Sequence, residues 1–216
     1  MKHAAGGKEL VVRTLHVGPM AACCYVLGER NGEGAIIDPG DEAGRIAEAA
    51  GLLSLTVKYI VLTHAHVDHI AALEEVREAF PDAEVAVHAD DAEMLARPSL
   101  NLSLFLGGGI KCTPADRLLH EGHTLEVAGL PMTVIHAPGH TPGGICLYMP
   151  EAGVVFTGDA LFAGGIGRTD FPGGNEPLLL SSIRDKLLVL PPETVVYPGH
   201  GPSSTIGDEK ASNPFL

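Results

Sequence analysis

Thr63-His64-Ala65-His66-Val67-Asp68-His69 follows directly on residues 58–62, an apolar run that reads as a buried strand. Three imidazoles and a carboxylate crowd into residues 64–69. Such a group is hard to bury as packing, because a neutral imidazole needs a partner at each ring nitrogen. A sharp turn out of the strand would aim His64 and His66 at one point, and Asp68 and His69 at another. Imidazole nitrogen and carboxylate oxygen form the ligand set suited to Zn, Fe and Mn. The stretch therefore predicts a metal centre at a strand end.

One such cluster does not complete two sites, and the missing groups occur downstream, each in a Gly-flanked turn after a strand. His140 lies in Ala137-Pro138-Gly139-His140-Thr141-Pro142-Gly143-Gly144, Asp159 in Thr157-Gly158-Asp159, and His200 in Tyr197-Pro198-Gly199-His200-Gly201. Glycine lets the backbone turn sharply and approach a ligand closely, and strand ends on a rigid scaffold hold such groups in place. With the leading cluster, these turns nominate seven candidate metal ligands: His64, His66, Asp68, His69, His140, Asp159 and His200.

Around these positions the pattern alternates strand-like and helix-like runs. Residues 10–16, 23–27 and 35–38 read as strands, with Asn31-Gly32 turning the chain between the last two. Helical patterns cover 41–50 and 70–79, a strand covers 84–88, and a short helix at 90–96 stops before Pro98. Residues 97–115 have no period and contain Gly107-Gly108-Gly109, so they read as a loop; it is no phosphate loop, since the GK[ST] ending is missing. A second round follows, with strands at 124–127, 132–136, 145–149, 154–157 and 195–197 and a mostly helical run at 176–190. The sixteen residues after His200 show no helical period. Two β-rich halves with helices outside predict an α/β fold of four layers, two sheets face to face under helices. One catalytic domain over residues 10–216 is expected, preceded by a flexible tail at 1–9.

Composition narrows the function classes. The chain has 216 residues, 45% of them hydrophobic, with 14 Lys and Arg against 27 Asp and Glu, a formal charge of −13. Nucleic-acid binding needs clustered basic residues, and none is visible. Two bound divalent ions would offset about 4 units of that charge. No apolar run approaches a bilayer span, and Met1–Leu10 carries Lys2, His3, Lys8 and Glu9 in place of a signal-peptide core. A cytoplasmic protein with no membrane partner is expected. Cys23, Cys24, Cys112 and Cys146 include no CxxC pair and read as buried free thiols. His88, His120, His123 and His136 fall outside the ligand turns and read as structural or surface residues.

The order His-x-His-x-Asp-His, Gly-His-Thr-Pro-Gly, Thr-Gly-Asp, Pro-Gly-His resembles the metallo-β-lactamase superfamily from about Leu10 to the end of the chain. That resemblance implies an αββα sandwich with the site at one edge of the two sheets. It implies that His64, His66 and His140 hold a first metal ion, that Asp68, His69 and His200 hold a second, and that Asp159 bridges them. Gly165-Ile166-Gly167-Arg168-Thr169-Asp170-Phe171-Pro172 and the ending Gly199-His200-Gly201-Pro202…Asn213-Pro214-Phe215-Leu216 look like the short bacterial proteins similar to hydroxyacylglutathione hydrolase, or glyoxalase II. The implied reaction is hydrolysis of an acyl thioester of the hydroxyacylglutathione type by metal-activated hydroxide. Two divalent ions are the implied cofactors, zinc first and iron or manganese as alternatives. Asp68 and Asp159 then position metals and water and do not act as separate general bases. Arg168 and Asp170 either salt-bridge their loop or touch substrate. Full-length glyoxalase II enzymes add a C-terminal helical region that helps bind glutathione, and the sixteen residues after His200 here are not expected to supply one. The Gly-Arg-Thr-Asp-Phe stretch is also similar to persulfide dioxygenases, which would use His64, His140 and Asp159 around one Fe(II); there Asp-Tyr is expected after the late histidine, where this chain has Gly201-Pro202.

Overall fold

The first half of the chain builds one sheet from β1 (Lys2–Ala5), β2 (Lys8–Val17), β3 (Ala22–Gly28), β4 (Glu33–Ile37), β5 (Thr56–Val61), β6 (Glu84–His88) and β7 (Arg117–Leu119). These strands lie side by side in chain order. This computed structural model describes residues 1–5, 7–106 and 108–216; Gly6 of the expected tail and Gly107 of the Gly-rich loop lie outside the described residues. Strands β1 to β4 pair antiparallel through short turns. From β4 to β7 the pairing is parallel, which requires crossovers. Two of these are helical: α1 (Ala43–Leu53) after β4, and α2 (Val67–Ile70) with α3 (Leu73–Ala79) after β5.

The second half forms a six-stranded sheet from β8 (Thr124–Val127), β9 (Leu130–His136), β10 (Ile145–Met149), β11 (Val154–Gly158), β14 (Val195–Pro198) and β15 (Ser204–Thr205). A separate two-stranded ribbon, β12 (Leu161–Phe162) with β13 (Gly165–Ile166), hangs from the end of β11. The connection back to β14 runs through α4 (Glu176–Ser182) and one π-helical turn, Ile183–Leu187; α5 (Ile206–Ser212) follows β15.

Period-two sorting of side chains explains why the layers stack as they do. Every residue of β3 is buried. Cys23, Tyr25 and Leu27 enter the core between the two sheets, whereas Cys24 and Val26 enter a second core beneath α1 and α3. A third core, which includes Val155 and Val196, packs against Leu179, Ile183 and Ile206 on the far side. These three apolar layers make the expected four-layer αββα sandwich.

Three local readings need correction. Residues 1–9 are not a flexible tail, because Lys2–Ala5 pairs with Lys8–Val11 as an edge hairpin and the terminal amine donates to the Val12 carbonyl at 2.5 Å. To its backbone ladder it adds the Lys2–Glu9 ion pair and a His3–Tyr197 hydrogen bond at 2.7 Å, polar contacts that leave no hydrophobic pattern to read. The helix expected at 70–79 is two short helices, broken at Ala71 and Ala72. The end of the chain does carry a helix, α5: the Thr205 hydroxyl caps it by accepting the Asp208 N–H at 3.1 Å, and Ile206 and Glu209 are buried. Its core contact is a single turn wide, too narrow to show a period. All four cysteines are free and buried. Burial pushes their thiols up, Cys112 to about 11. No helix among the described residues is long and apolar enough to cross a membrane.

Tyr25, Phe156 and Tyr197 form the largest aromatic cluster of the inter-sheet core, with ring centroids 5.0 to 5.4 Å apart. Phe156→Ala is expected to lower unfolding free energy by about 3–5 kcal/mol. Equilibrium urea denaturation measures this, and a loss below about 1 kcal/mol would mean the sheets are held mainly elsewhere.

Candidate metal centre

All seven nominated side chains converge at one edge of the sandwich, where strands of both sheets end. The His64–His69 stretch leaves β5, His140 follows β9, Asp159 follows β11 and His200 follows β14. Backbone bonds lock these turns together across the sheets: Ile145 N–H donates to Thr63 O at 2.8 Å, Cys23 N–H to Gly199 O at 2.7 Å, and Gly199 N–H to Gly158 O at 2.7 Å. Gly199 has to be glycine, since a Cβ there would collide with Asp159 Oδ1.

Two groups result. Ligand atoms of His64, His66 and His140 lie within 4.8 Å of one another, and so do those of Asp68, His69 and His200. Asp159 stands between them, its Oδ1 3.5 Å from His69 Nε2 and its Oδ2 3.6 Å from His140 Nε2 and 3.8 Å from His200 Nε2. Two ligands of a tetrahedral metal lie about 3.4 Å apart, so these separations resemble edges of a coordination shell.

Hydrogen bonds fix which nitrogen faces inward. Thr63 donates its N–H to Asp38 Oδ1 at 2.7 Å and its hydroxyl hydrogen to Asp38 Oδ2 at 2.6 Å. That hydroxyl can then only accept from His64 Nδ1, 3.1 Å away, which leaves His64 Nε2 with a bare lone pair. His69 Nδ1 donates to Asp38 Oδ2 at 3.0 Å, and His140 Nδ1 to Arg168 O at 2.7 Å. Both then aim Nε2 at the centre. Anchoring one imidazole nitrogen to orient the other is how metal sites are built. His66 Nδ1 lies 2.9 Å from His140 Nε2. Two lone pairs do not approach so closely without a proton or cation between them.

Four buried polar atoms here, His64 Nε2, His66 Nε2, His69 Nε2 and Asp159 Oδ1, have no hydrogen-bond partner among the described residues. Orphaned buried groups of this kind are costly, and the inward-facing Nε2 atoms of His64 and His69 with Asp159 Oδ1 are donors that a pair of divalent cations satisfies, while His66 turns its Nδ1 inward. The residues fit a metal pair.

Electrostatics divide the two groups. Burial, reinforced by the neighbouring histidines, holds His64 well below the usual imidazole range and brings His66 down to about 3. Both are neutral at pH 7, as ligands must be. Burial opposes charge on His69 too, but Asp159, Asp38 and Asp68 outweigh it and push this imidazole up to about 10. Likewise His200 is depressed by burial yet raised overall by its bond to Asp68 and by Asp159.

Asp38 and Asp91 escaped the sequence reading. Asp91 is buried and accepts from Thr141 Oγ1 at 2.8 Å, Gly143 N at 2.6 Å and Ala65 N at 3.3 Å, which ties the His64–His69 turn to the turn carrying His140. The only hint was an acidic residue at the end of one strand and just past another, a pattern shared with ordinary turns. His88 and His136 stack on each other at 4.0 Å, and His136 Nε2 donates to Pro142 O at 2.9 Å, in the turn that carries His140.

A cavity of about 700 Å³ opens over the cluster and exposes His66, Asp68, His140, Asp159 and His200 on its floor. Its walls include Met20, Leu102, Phe105, Phe162, Ile166 and Phe171.

The profile of the metallo-beta-lactamase superfamily matches residues 17–200, and the chain belongs to that superfamily. It is 43% identical over 205 residues to "Probable metallo-hydrolase YqgX" of Bacillus subtilis (strain 168), covering 94% of this chain and 96% of that one. It is 40% identical over 194 residues to hydroxyacylglutathione hydrolase GloC of Haemophilus influenzae, covering 89% and 92%. Among solved structures, BLEG-1 B3 metallo-beta-lactamase superposes with a TM-score of 0.91 at 41% identity, over 95% of this chain and 99% of that one. TTHA1623 in a di-iron-bound form gives 0.84 at 37%, over 94% and 100%.

Two outcomes follow. Asp38→Asn, which loses full charge against His69, is expected to weaken metal affinity about 10–100-fold, read by chelator competition with circular dichroism confirming the fold. In the metal-free protein His69 stays protonated up to about pH 10, so a metal must expel that proton to bind there. Calorimetry at pH 7 in buffers of different ionisation enthalpy should show net proton release, and affinity should rise with pH; proton uptake would reverse the assignment.

Proposed function

We propose that this protein is a metal-dependent hydrolase of acyl thioesters. His64, His66 and His140 would hold one divalent cation, Asp68, His69 and His200 a second, and Asp159 would reach both. The observation that carries the reading is the pair of unpartnered His64 and His69 Nε2 atoms with Asp159 Oδ1, beside the close His66 Nδ1–His140 Nε2 approach, under an open apolar cavity. Zinc is the first candidate; the di-iron form of TTHA1623, at 37% identity, supports iron as the alternative. When bound, the cations supply Lewis acidity, which lowers the pKa of water towards about 7 and polarises a carbonyl.

The chain's own groups do the rest. Asp68 and Asp159 position the reacting centre, one 3.1 Å from His200 Nε2 and the other between the two histidine groups. Apolar walls exclude bulk water from the acyl group. Overall, water's oxygen forms a bond to the acyl carbon, and the carbon–sulfur pair leaves on sulfur. Little acid assistance is needed at sulfur, because a thiol has a pKa of only about 8.5. The name of GloC places hydroxyacylglutathiones on any first panel of substrates.

The test is thiol release from a thioester panel by metal-loaded protein, with elemental analysis per chain and oxygen uptake on a persulfide alongside. Turnover is expected with two metals per chain, abolished by chelation. His64→Ala and Asp159→Asn should each lower kcat/KM by more than about a hundredfold, beyond the loss typical of an orienting group. Oxygen consumption with one iron per chain and no thiol release would replace this reading with a dioxygenase.

A further inference from the structure

The β12–β13 ribbon is the part of the cavity wall with the least support of its own. It consists of two residue pairs, Leu161 with Ile166 and Phe162 with Gly165, and it joins neither large sheet. An isolated two-stranded ribbon is marginal in water. Its turn, Ala163-Gly164, has a positive φ at Gly164 alone, +70°, whereas the turns that match strand twist need one at the first residue.

Both ends of the ribbon run into the metal centre. Asp159 stands two residues before Leu161. Arg168, two residues after Ile166, takes the His140 Nδ1 hydrogen on its carbonyl at 2.7 Å, while its side chain is paired with Asp170 at 2.7 Å. Between these ends Phe162 and Ile166 line the cavity, and the Phe162 ring meets His200 edge-on with 6.2 Å between centroids.

The tip is gripped by the end of the chain. Glu209 in α5 and Asn213 just after it are 3% and 5% exposed, and neither is part of the cavity lining. Glu209 Oε2 accepts the Gly164 N–H at 2.9 Å and one hydrogen of Asn213 Nδ2 at 2.7 Å. The other hydrogen of that nitrogen goes to Gly165 O at 3.0 Å, and Asn213 Oδ1 accepts the Phe215 N–H at 3.1 Å. Burying a carboxylate is costly unless it is hydrogen-bonded. Here the hydrogens it takes are those of the ribbon tip and of the residue that grips the tip. Ile206 seats α5 in the third apolar core, so the clamp ties the tip to the body of the fold.

We propose that Glu209 and Asn213 are positioning residues for substrate: by clamping Gly164 and Gly165 they hold Phe162 and Ile166 as a fixed wall of the cavity. This rests on the hydrolase reading above. A wall acts on bound substrate before and during reaction alike, so loosening it raises KM more than it lowers kcat. The metal centre keeps its own supports, because Gly199 N–H to Gly158 O at 2.7 Å and Gly167 N–H to Ala160 O at 3.3 Å brace the two ends of the ribbon without the clamp.

The experiment uses full-length, metal-loaded protein with lactoylglutathione, or in its place the best-hydrolysed thioester of the panel above, and follows amide hydrogen exchange on the same samples. Glu209→Ala is expected to raise KM about three- to tenfold, the weight of one or two hydrogen bonds, with kcat held within about twofold. Exchange over residues 162–167 should quicken about tenfold or more while β10 and β11 stay protected, and metal content should match the wild type. Glu209→Gln, whose amide oxygen can accept the same two hydrogens, should restore both KM and protection. Asn213→Ala, which removes only the Gly165 side of the clamp, should shift both in the same direction by less, and it carries the test if Glu209→Ala does not fold. Combined with Phe162→Ala, Glu209→Ala should add little further to KM, since it acts through that ring. A fall in kcat with KM unmoved, loss of bound metal, or unchanged exchange at the ribbon overturns this inference and leaves the hydrolase reading standing. Thiol release by the wild type from none of the thioesters overturns both.

Discussion

The carboxylate of Asp38 is the constraint on which the centre depends. It sits at the end of β4 with φ at +52°, takes both hydrogens of Thr63, and takes a third from His69. A hydroxyl has one hydrogen, so committing it to Asp38 decides the tautomer of His64. One buried acid thereby orients two imidazoles, one directly and one through a neighbour. Burying a carboxylate is costly unless it is fully hydrogen-bonded, and Asp38 is 1% exposed with three donors around it. Rigidity here is a consequence of that complete satisfaction.

The sandwich gives this arrangement its frame. Both sheets present strand ends at the same edge, and backbone bonds between their turns keep the two histidine groups in contact across the gap; the His64 and His69 rings are 4.2 Å apart by centroid. Asp91 does for the His140 turn what Asp38 does for the first stretch. The two acids come from the parallel half of the first sheet, where each crossover begins close to the site. Positioning is therefore divided: the first sheet supplies the anchoring acids, and the second delivers three of the seven converging side chains.

Much of this was legible in the sequence because the signals were chemical as well as periodic. His64, His66, Asp68 and His69 announce themselves by density, and His140, Asp159 and His200 by their glycine turns. The layered architecture followed from runs such as residues 23–27, apolar without interruption because both faces are covered. What escaped had weak or ambiguous signals. Asp38 sits in Asp-Pro-Gly, which any turn might carry, and Asp91 follows another acid. The β1 strand is held by backbone bonds and by polar contacts of Lys2 and His3, and α5 is seven residues long with Gly207 inside it. Such elements are stabilised by their surroundings, which a linear pattern does not contain.

The four buried thiols have a consequence for the proposed reaction, which would liberate a sulfhydryl compound. Exchange with a disulfide requires a thiolate. Cys23, whose sulfur lies 3.7 Å from the Gly201 carbonyl beside the His200 turn, is kept protonated first by burial and then by the nearby charges of Asp159 and Asp38. Cys24, Cys112 and Cys146 are shielded in the same way. The scaffold is thus shielded from mixed disulfides, so a thiol released by the proposed reaction would find no thiolate on it to pair with.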